Sequence, residues 1–363
     1  MTSSLWYFAT LRGTVTTTSQ VSATLHPTTF IVSHNYLLPL LFQYFISHMI
    51  RSTLSAITKS SLASTISTRS YSRAATMKEV DSAIVKALGI SSDQARIKSH
   101  GGSGFSQTLE LIATRDSSSS SYFVKVGGPD SAMMFEGEHA SLKAINSTDP
   151  SFCPAPQAFG PLASGPGYFL ITDFLDLIAA ASNAKEFAQK LAHLHTAPTP
   201  VPEGYSAPQF GFPLPTACGD TVQDNRYAQN WAEFYGDRRL RGVLKACEKT
   251  NGKDEELEGL VERTISEVVP RLLRDGHLTR PDGSTTKPSL VHGDLWSGNH
   301  GRTEEGEVVY DPSSSWSHAE FEWGIMKMFG GFGKGVEEEY YKAVGGKDEP
   351  VEEWADRVRL YEL

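Results

Sequence analysis

Leu290-Val291-His292-Gly293-Asp294-Leu295-Trp296-Ser297-Gly298-Asn299 is the stretch that decides the fold of this 363-residue chain. A short apolar pair runs into a turn at a glycine, after which the chain presents the carboxylate of Asp294 and the carboxamide of Asn299. A β-like run over 308–310 then ends in a second carboxylate, Asp311. This order of acid, Asn and acid suits phosphoryl transfer from ATP with Mg²⁺. The first group can orient and deprotonate a hydroxyl, and the other two can hold the metal.

The composition is typical of a soluble globular protein with an acidic body, long enough for one large domain or two smaller ones. The first 76 residues contain five Lys or Arg and no Asp or Glu, whereas the rest of the chain carries 28 basic and 42 acidic residues. An acidic body disfavours nucleic acid as a partner. The three cysteines, Cys153, Cys218 and Cys247, lie far apart without metal-ligand spacing. They indicate packed or idle thiols in a reducing compartment.

Residues 1–76 predict a leader that lies outside the fold. The apolar run over 36–46 is shorter than the roughly 20 residues of a transmembrane helix, so no membrane partner is expected. Residues 49–76 are rich in Ser and Thr, basic and free of acidic residues, which is typical of a mitochondrial transit peptide. We expect the mitochondrial matrix if this segment acts as a transit peptide, and the cytoplasm otherwise. A translation start at Met49 or Met77 is the alternative to a functional leader.

Residues 77–172 predict a small ATP-binding lobe. Apolar spacing predicts a helix over 79–88 that stops at Gly89. A strand, a glycine-rich turn and a second strand then occupy 97–111. Glycines let backbone N–H groups approach an anion, so the turn could cover the phosphates of ATP, although an ordinary hairpin turn also fits the pattern. The residues of the turn are Gly101, Gly102, Ser103 and Gly104.

Lys125 is unusual because it lies inside an apolar strand over 121–126, which follows an expected flexible loop at 117–121. A helix over 132–145 comes next, and its apolar stripe carries Glu138, whereas Glu136 phases away from the stripe. We predict that Lys125 pairs with Glu138 and grips the α and β phosphates of ATP. The alternative is an edge-strand lysine whose ammonium reaches solvent.

A proline-rich connection at 154–161 leads to an apolar strand over 168–175. In a kinase-like fold this strand is the hinge between two lobes. The backbone of Asp173 and Leu175, on either side of Phe174, would then hydrogen-bond adenine.

Residues 173–363 predict a larger, mainly helical lobe. His193 and His195 lie two residues apart on different faces of one helix, which favours structural roles over a metal pair. A proline- and glycine-rich insertion occupies 198–220. Helices are predicted over 184–195, from 230, over 257–273 and from 355.

Several strings together resemble the fructosamine-3-kinase (ketosamine-3-kinase) family from about Met77 to the end of the chain. The string over 292–299 is highly specific, since a shorter His-Gly-Asp with a later Asn would indicate only the wider set that includes aminoglycoside and choline kinases. The other matching strings are Phe135-Glu136-Gly137-Glu138, Phe210-Gly211-Phe212, Trp231 with Phe234, Asp311-Pro312, His318-Ala319-Glu320-Phe321-Glu322 and Met328-Phe329-Gly330-Gly331-Phe332.

The resemblance implies an α+β fold with two lobes, similar to that of protein kinases. The small lobe has an antiparallel sheet with a helix, and the larger lobe is mainly helical. It also implies ATP- and Mg²⁺-dependent phosphorylation of O3 of a ketosamine, the sugar adduct that glycation leaves on protein amines. The substrates are therefore glycated proteins or ketosamine-lysine small molecules.

The matching motifs assign the family's functional roles to residues that are already named above. Asp294 would be the base, Asn299 and Asp311 the Mg²⁺ ligands, and Lys125 with Glu138 the phosphate-gripping pair. Trp296 and His292 would face the substrate, although a core indole is the alternative for Trp296.

Three departures from the family pattern accompany the resemblance. Ser103-Gly104 stands where some members carry a cysteine that controls dimerisation, and His300 stands where an apolar residue is usual. The family also continues beyond the position of Leu363, which predicts either an under-packed larger lobe or a truncated gene model. A different small-molecule kinase and a catalytically inactive binding protein are the rival hypotheses.

Overall fold

The computed structural model describes residues 79–102 and 106–363. The predicted leader, including the transit segment at 49–76, lies outside the described residues. The same holds for 103–105, which contain part of the predicted glycine-rich turn. The predicted boundary between lobes near residue 172 stays a prediction.

The small lobe is built on one antiparallel sheet of five strands in the order β1-β2-β3-β5-β4. Helix α1 (Ser82–Leu88) covers one face of the sheet, and α2 (Ala132–Thr148) follows β3. The Asp81 side chain caps α1 by accepting the Ala83 N–H. Gly89 ends the helix in a left-handed conformation, and the stop at this glycine is the one that the sequence predicts. The strands are β1 (Ala95–Gly102), β2 (Gln107–Arg115), β3 (Ser118–Gly127), β4 (Pro156–Pro161) and β5 (Tyr168–Asp173).

Two predicted loops belong to this sheet instead. Residues 118–121 form the first half of β3, because a turn at Asp116 and Ser117 pairs this serine run with the end of β2. The proline-rich segment at 154–161 contains β4, which is an edge strand. Proline is tolerated there because an edge strand does not need every backbone N–H for the ladder.

Alternation along β3 separates the core of the small lobe from its cleft side. Val124 and Val126 are buried beside Ile84 of α1 in one apolar cluster. Lys125, between the two valines, therefore points to the opposite face of the sheet, toward α2.

The larger lobe is mainly helical, which confirms the predicted α+β, protein-kinase-like architecture. π-Helical turns at Tyr235–Leu240 and Thr264–Val268 join α4 to α5 and α6 to α7, so the predicted helix over 257–273 is one continuous helical run. The helices are α3 (Ala184–Thr196), α4 (Trp231–Phe234), α5 (Arg241–Asn251), α6 (Glu255–Arg263), α7 (Val269–Leu273), α8 (Glu322–Met328), α9 (Lys334–Val344) and α10 (Trp354–Tyr361).

This lobe also contains three two-stranded antiparallel pairs, which lie between its helices along the chain. They are β6 (Thr216–Cys218) with β7 (Thr221–Gln223), β8 (Ser289–Val291) with β11 (Ser315–Ser317), and β9 (His300–Thr303) with β10 (Gly306–Val309).

The last helix is part of the larger lobe's core. Leu360 and Tyr361 of α10 are buried, and the Tyr361 hydroxyl hydrogen-bonds the Trp231 indole and the His318 ring. None of the helices in the described part of the chain has the length and apolar character that a membrane crossing needs.

Candidate active site

Lys125 is the centre of the charged cluster between the lobes. Its Nζ lies 2.7 and 2.9 Å from the two carboxylate oxygens of Glu138 and 2.8 Å from Oδ1 of Asp311. The Lys125 side chain is only 11% exposed, which excludes the solvent-reaching alternative, and Glu136 is exposed on α2. The predicted pairing of Lys125 with Glu138 is therefore confirmed, while its role in binding phosphates stays a prediction.

The two carboxylates of this cluster stabilise the charged form of Lys125. Burial alone would lower the pKa of Lys125, but the carboxylates of Glu138 and Asp311 outweigh it, so its pKa is raised. Burial also raises the pKa of Glu138, against the pull of the Lys125 ammonium. We treat the Lys125–Glu138 pair as charged because its two short hydrogen bonds have the geometry of charge-assisted contacts.

Contacts with Ser313 and with the Glu322 carboxylate fix the conformation of the loop over 292–299. Gly293 has φ of +82°, and a Cβ at this position would lie 2.1 Å from the Ser313 carbonyl oxygen, so only glycine fits. The buried Glu322 carboxylate accepts hydrogen bonds from the backbone N–H groups of His292 and Gly293. The turn that presents Asp294 is thus fixed by a carboxylate from α8.

His292 does not face the substrate, contrary to the prediction. Its side chain is fully buried, with Nε2 3.0 Å from the Tyr310 carbonyl oxygen and Nδ1 accepting the Asp294 N–H. Burial lowers its pKa, although Glu322 pulls in the other direction. The ring ties the loop to the strand that precedes Asp311, so its role is to support the loop.

Asp294 is held at both carboxylate oxygens. The Cys218 thiol lies 3.5 Å from Oδ1, and the Asn299 Nδ2 group lies 3.3 Å from Oδ2. Asn299 also donates to the Asp294 backbone carbonyl at 2.8 Å. Burial raises the pKa of Asp294 to about 6, and the charges of Asp311 and Glu322 act in the same direction. A carboxylate of raised basicity at a cleft is suited to accept a proton.

Asp311 follows β10 at a strained position. It has φ of +58°, which is uncommon for a residue with a side chain and recurs at functional sites. Its carboxylate is 47% exposed and points at Lys125. The Tyr310 N–H donates to the Asn299 carbonyl, so the two predicted metal ligands lie on directly connected segments.

Trp296 is not a core indole. Its side chain remains 40% exposed, with its ring centroid 6.1 Å from that of Phe329 in an edge-to-face contact. A Cβ on Gly298 would lie 2.1 Å from the indole ring, so this glycine lets the indole lie flat over the loop. An exposed aromatic face two residues from Asp294 remains available to a ligand, and the substrate role stays a prediction.

The hinge region supplies fewer free groups than predicted. The Asp173 N–H donates to the Ala155 carbonyl at 3.0 Å, and the Phe174 N–H donates to the Ser121 carbonyl. The Asp173 carbonyl accepts from the Thr172 hydroxyl at 3.1 Å, so both backbone groups of Asp173 have partners within the protein. The contact of Asp173 and Leu175 with adenine stays a prediction. Phe174 makes an edge-to-face contact with the His100 ring at 5.1 Å, next to the glycine-rich turn.

The glycine-rich turn is described only in part. Gly101 and Gly102 end β1 and pair with Thr108 and Gln107 of β2, as the strand–turn–strand prediction requires. Ser103 and Gly104 lie outside the described residues.

Three other histidines have structural partners. His193 lies near the Thr148 carbonyl, and the buried His195 hydrogen-bonds the Tyr340 hydroxyl at 2.7 Å. His300 lies 2.6 Å from the fully buried carboxylate of Glu307, which also accepts from the Asn183 N–H. The histidine at position 300, where the family usually has an apolar residue, thus has a hydrogen-bond partner on the next strand.

Sequence reasoning missed two residues that act on Asp294. Glu322 belongs to a string that carries the family resemblance, but the sequence predicts no role for it. The sequence predicts a packed or idle thiol at Cys218, yet its sulfur contacts the predicted base. Nothing in the spacing signals this contact, because 76 residues separate the two.

Comparison with known proteins identifies the family of this chain. The fructosamine kinase family model matches residues 76–363. A ketosamine-3-kinase of Mus musculus is 33% identical over 302 residues, which cover 78% of this chain and 91% of that protein. A chloroplastic protein-ribulosamine 3-kinase of Arabidopsis thaliana is 31% identical over 254 residues, covering 70% of this chain and 72% of that protein.

A solved structure shows the same fold. The crystal structure of a Thermobifida fusca protein assigned as a fructosamine-3-kinase aligns with a TM-score of 0.59 at 22% identity, over 78% of this chain and 90% of that one. Since the family model covers most of the sequence and relatives above 30% identity align over most of their length, this chain belongs to the fructosamine kinase family.

Proposed function

We propose that this chain uses ATP and Mg²⁺ to phosphorylate O3 of ribulosamines or fructosamines on proteins or on free lysine. The observation that carries the proposal is the joint geometry of two groups. Asp294 lies against Asn299, and Asp311 lies against the Lys125–Glu138 pair. The names of the relatives, ketosamine-3-kinase and protein-ribulosamine 3-kinase, support the substrate class.

The residues present fit ATP and Mg²⁺. Asp311 offers a half-exposed carboxylate and Asn299 a carboxamide, and both are hard oxygen donors of the kind that Mg²⁺ accepts. The Lys125 ammonium contacts two carboxylates, Glu138 and Asp311, and the charge of Asp311 also raises the pKa of Asp294, so added positive charge near Asp311 is favourable. Bound Mg²⁺ would neutralise charge on the phosphates during transfer.

The chain's own residues supply positioning and one proton acceptor. The substrate hydroxyl oxygen attacks the γ-phosphorus, the bond from γ-phosphorus to the bridging oxygen breaks, and ADP leaves. The hydroxyl proton passes to the carboxylate of Asp294, whose raised pKa suits this transfer. Lys125, fixed by Glu138, would hold the α and β phosphates in place.

The product accounts for a repair role. A phosphate on O3 lies next to the ketone of the adduct and makes it unstable, so the sugar is released and the amine is restored. The exposed Trp296 indole would provide a flat apolar surface for the sugar beside the base.

The proposal is tested by incubating the protein with ATP–Mg²⁺ and ribulosyl-lysine or fructosyl-lysine, and by detecting ADP and the phosphorylated sugar. Asp294→Asn is expected to lower kcat at least 100-fold while ATP still binds, because removal of a positioned base typically costs about 10²–10⁴-fold. Asp282→Asn, in an exposed turn, is the matched control and is expected to keep full activity.

Three results would contradict the proposal. Turnover by Asp294→Asn equal to that of the parent protein would remove Asp294 from the mechanism. Phosphorylation of choline or an aminoglycoside without activity on either ketosamine would select a different small-molecule kinase, and ATP binding without any turnover would select an inactive binding protein.

We also propose that residues 49–76 decide the location of the protein. A fusion of residues 1–76 to a fluorescent protein is expected to enter the mitochondrial matrix if the segment is a transit peptide. A diffuse cytoplasmic signal would contradict that.

A further inference from the structure

We infer that Cys218 is a positioning residue for the reaction, which donates its S–H hydrogen bond to Oδ1 of Asp294 and thereby fixes the orientation of the carboxylate. This inference rests on the proposed function, in which Asp294 accepts the proton of the substrate hydroxyl. The sulfur lies 3.5 Å from Oδ1, an ordinary distance for a hydrogen bond to sulfur.

Two donors hold the Asp294 carboxylate, one on each oxygen. Cys218 faces Oδ1, whereas the Asn299 Nδ2 group faces Oδ2 at 3.3 Å and the Asp294 backbone carbonyl at 2.8 Å. Asn299 belongs to the same loop as Asp294, so it follows any movement of that loop. Cys218 comes from a separate element and is therefore the contact that fixes the carboxylate relative to the rest of the lobe.

The hairpin β6–β7 that carries Cys218 is itself anchored by buried polar contacts. The Asn225 Nδ2 group donates to the Leu214 carbonyl and to Thr216 Oγ1, each at 2.9 Å. The Arg239 guanidinium, 6% exposed, donates to Asn225 Oδ1 at 2.8 Å and to the Asp224 carbonyl at 3.0 Å. A sulfur at the end of β6 therefore has a fixed position.

A second contact fixes the hairpin from the small-lobe side. A Cβ on Gly137 would lie 2.6 Å from the Pro215 carbonyl oxygen and 3.2 Å from Thr216 Cα, so α2 and β6 touch backbone to backbone. Glu138, the partner of Lys125, is the next residue on α2. The same hairpin thus connects the phosphate-binding pair and the base.

The chemistry of a thiol suits this task. Burial, together with the charge of Asp294, raises the pKa of Cys218, so the group stays protonated and keeps its donor hydrogen. The thiol can orient the carboxylate through this hydrogen bond, which by itself lowers the pKa of Asp294, while burial outweighs it and keeps the pKa raised. A protonated, half-buried thiol is a poor nucleophile, which argues against a role for Cys218 in covalent chemistry.

The experiment compares three substitutions at one position with the full-length protein. Cys218→Ala removes the donor, Cys218→Val removes it while filling the space, and Cys218→Ser keeps a donor. We expect kcat for ketosamine phosphorylation to fall about tenfold in the Ala and Val variants, equivalent to about 1.4 kcal/mol. We expect KM for ATP to stay within twofold of the parent value, and the Ser variant to recover at least half of the lost kcat. Cys247→Ala, in helix α5, is the control and should match the parent protein.

The outcomes separate this inference from the proposed function. Parent-level kcat in both the Ala and Val variants would overturn the positioning role while leaving the kinase assignment intact. An equal loss in the Ala, Val and Ser variants, or a matching rise in KM for ATP, would show a structural role and also overturn it. If the parent protein phosphorylates no ketosamine, the proposed function fails, regardless of the affinity of the variants for ATP.

Discussion

Gly137→Ala tests whether the contact between α2 and β6 holds the two halves of the site together. Gly137 is buried on α2, and an added Cβ would lie 2.6 Å from the Pro215 carbonyl oxygen and 3.2 Å from Thr216 Cα. Both neighbours are backbone atoms, which cannot rotate away. The helix and the hairpin must therefore separate by roughly 0.5–1 Å to regain an ordinary van der Waals distance.

The expected size follows from two opposing effects. Replacing glycine by alanine inside a helix stabilises by about 0.5–1 kcal/mol. Overpacking of a tight contact costs about 1–3 kcal/mol. The free energy of unfolding of the variant should thus lie between roughly the parent's value and about 2.5 kcal/mol below it. The fall in kcat should be larger than the loss of folded protein explains. Glu138 is the residue after Gly137, and a displacement of about 1 Å at a site can lower the rate 10²-fold.

Gly259→Ala is the matched control. Gly259 lies exposed in the middle of α6, and a Cβ there meets nothing within 4 Å. This variant should gain about 0.5–1 kcal/mol and keep the parent kcat. The free energy of unfolding is measured by urea titration with circular dichroism, and kcat by ADP release with a ketosamine substrate. A Gly137→Ala variant that gains stability and keeps kcat, as the control does, would refute the reasoning.

Two further predictions concern ion pairs of the larger lobe. Arg357→Met should lower the free energy of unfolding by about 3–5 kcal/mol, because Arg357 is fully buried and its Nε lies 2.7 Å from Glu320, which would be left as an unpaired buried charge. A urea midpoint within error of the parent's would contradict this. The pKa of Glu337 is lowered because its hydrogen bonds to Lys327 and Lys347 outweigh its partial burial. A lowered pKa adds stability above the unfolded-state value, which is lost as pH falls through the folded-state value. Glu337→Gln should therefore lower the free energy of unfolding by about 1 kcal/mol at pH 7 and by less at pH 3. Thermal unfolding at both pH values measures the two costs, and equal costs would contradict this.

The sequence predicts the Lys125–Glu138 pair because local periodicity determines it. Alternation in β3 sends Lys125 to the face opposite Val124 and Val126, and helical phasing selects Glu138 over Glu136. These two periods, two residues in a strand and 3.6 in a helix, are readable without knowledge of the tertiary fold.

Tertiary pairing decides the elements that the sequence mispredicts. Serines at 118–121 have little strand preference, yet they form β3 because a two-residue turn pairs them with β2. Prolines at 154–161 suggest a connection, yet an edge position accommodates them in β4. His292 is of a residue type that is common at functional sites. Only the packing of Tyr310 and Glu322 around the loop shows that it is buried.

Helix α2 joins the small-lobe sheet to the larger lobe. Leu142 and Ile145 of α2 are buried in the core cluster of the larger lobe, and Ser141 Oγ accepts the Ser314 N–H at 3.0 Å, close to Asp311. On the side of the sheet, the His139 ring of α2 lies 6.3 Å from the Phe159 ring of β4. Lys125 belongs to β3 of the same sheet and contacts both Glu138 and Asp311. The charged cluster therefore lies where the sheet, α2 and a loop of the larger lobe meet, and its geometry depends on the packing of all three.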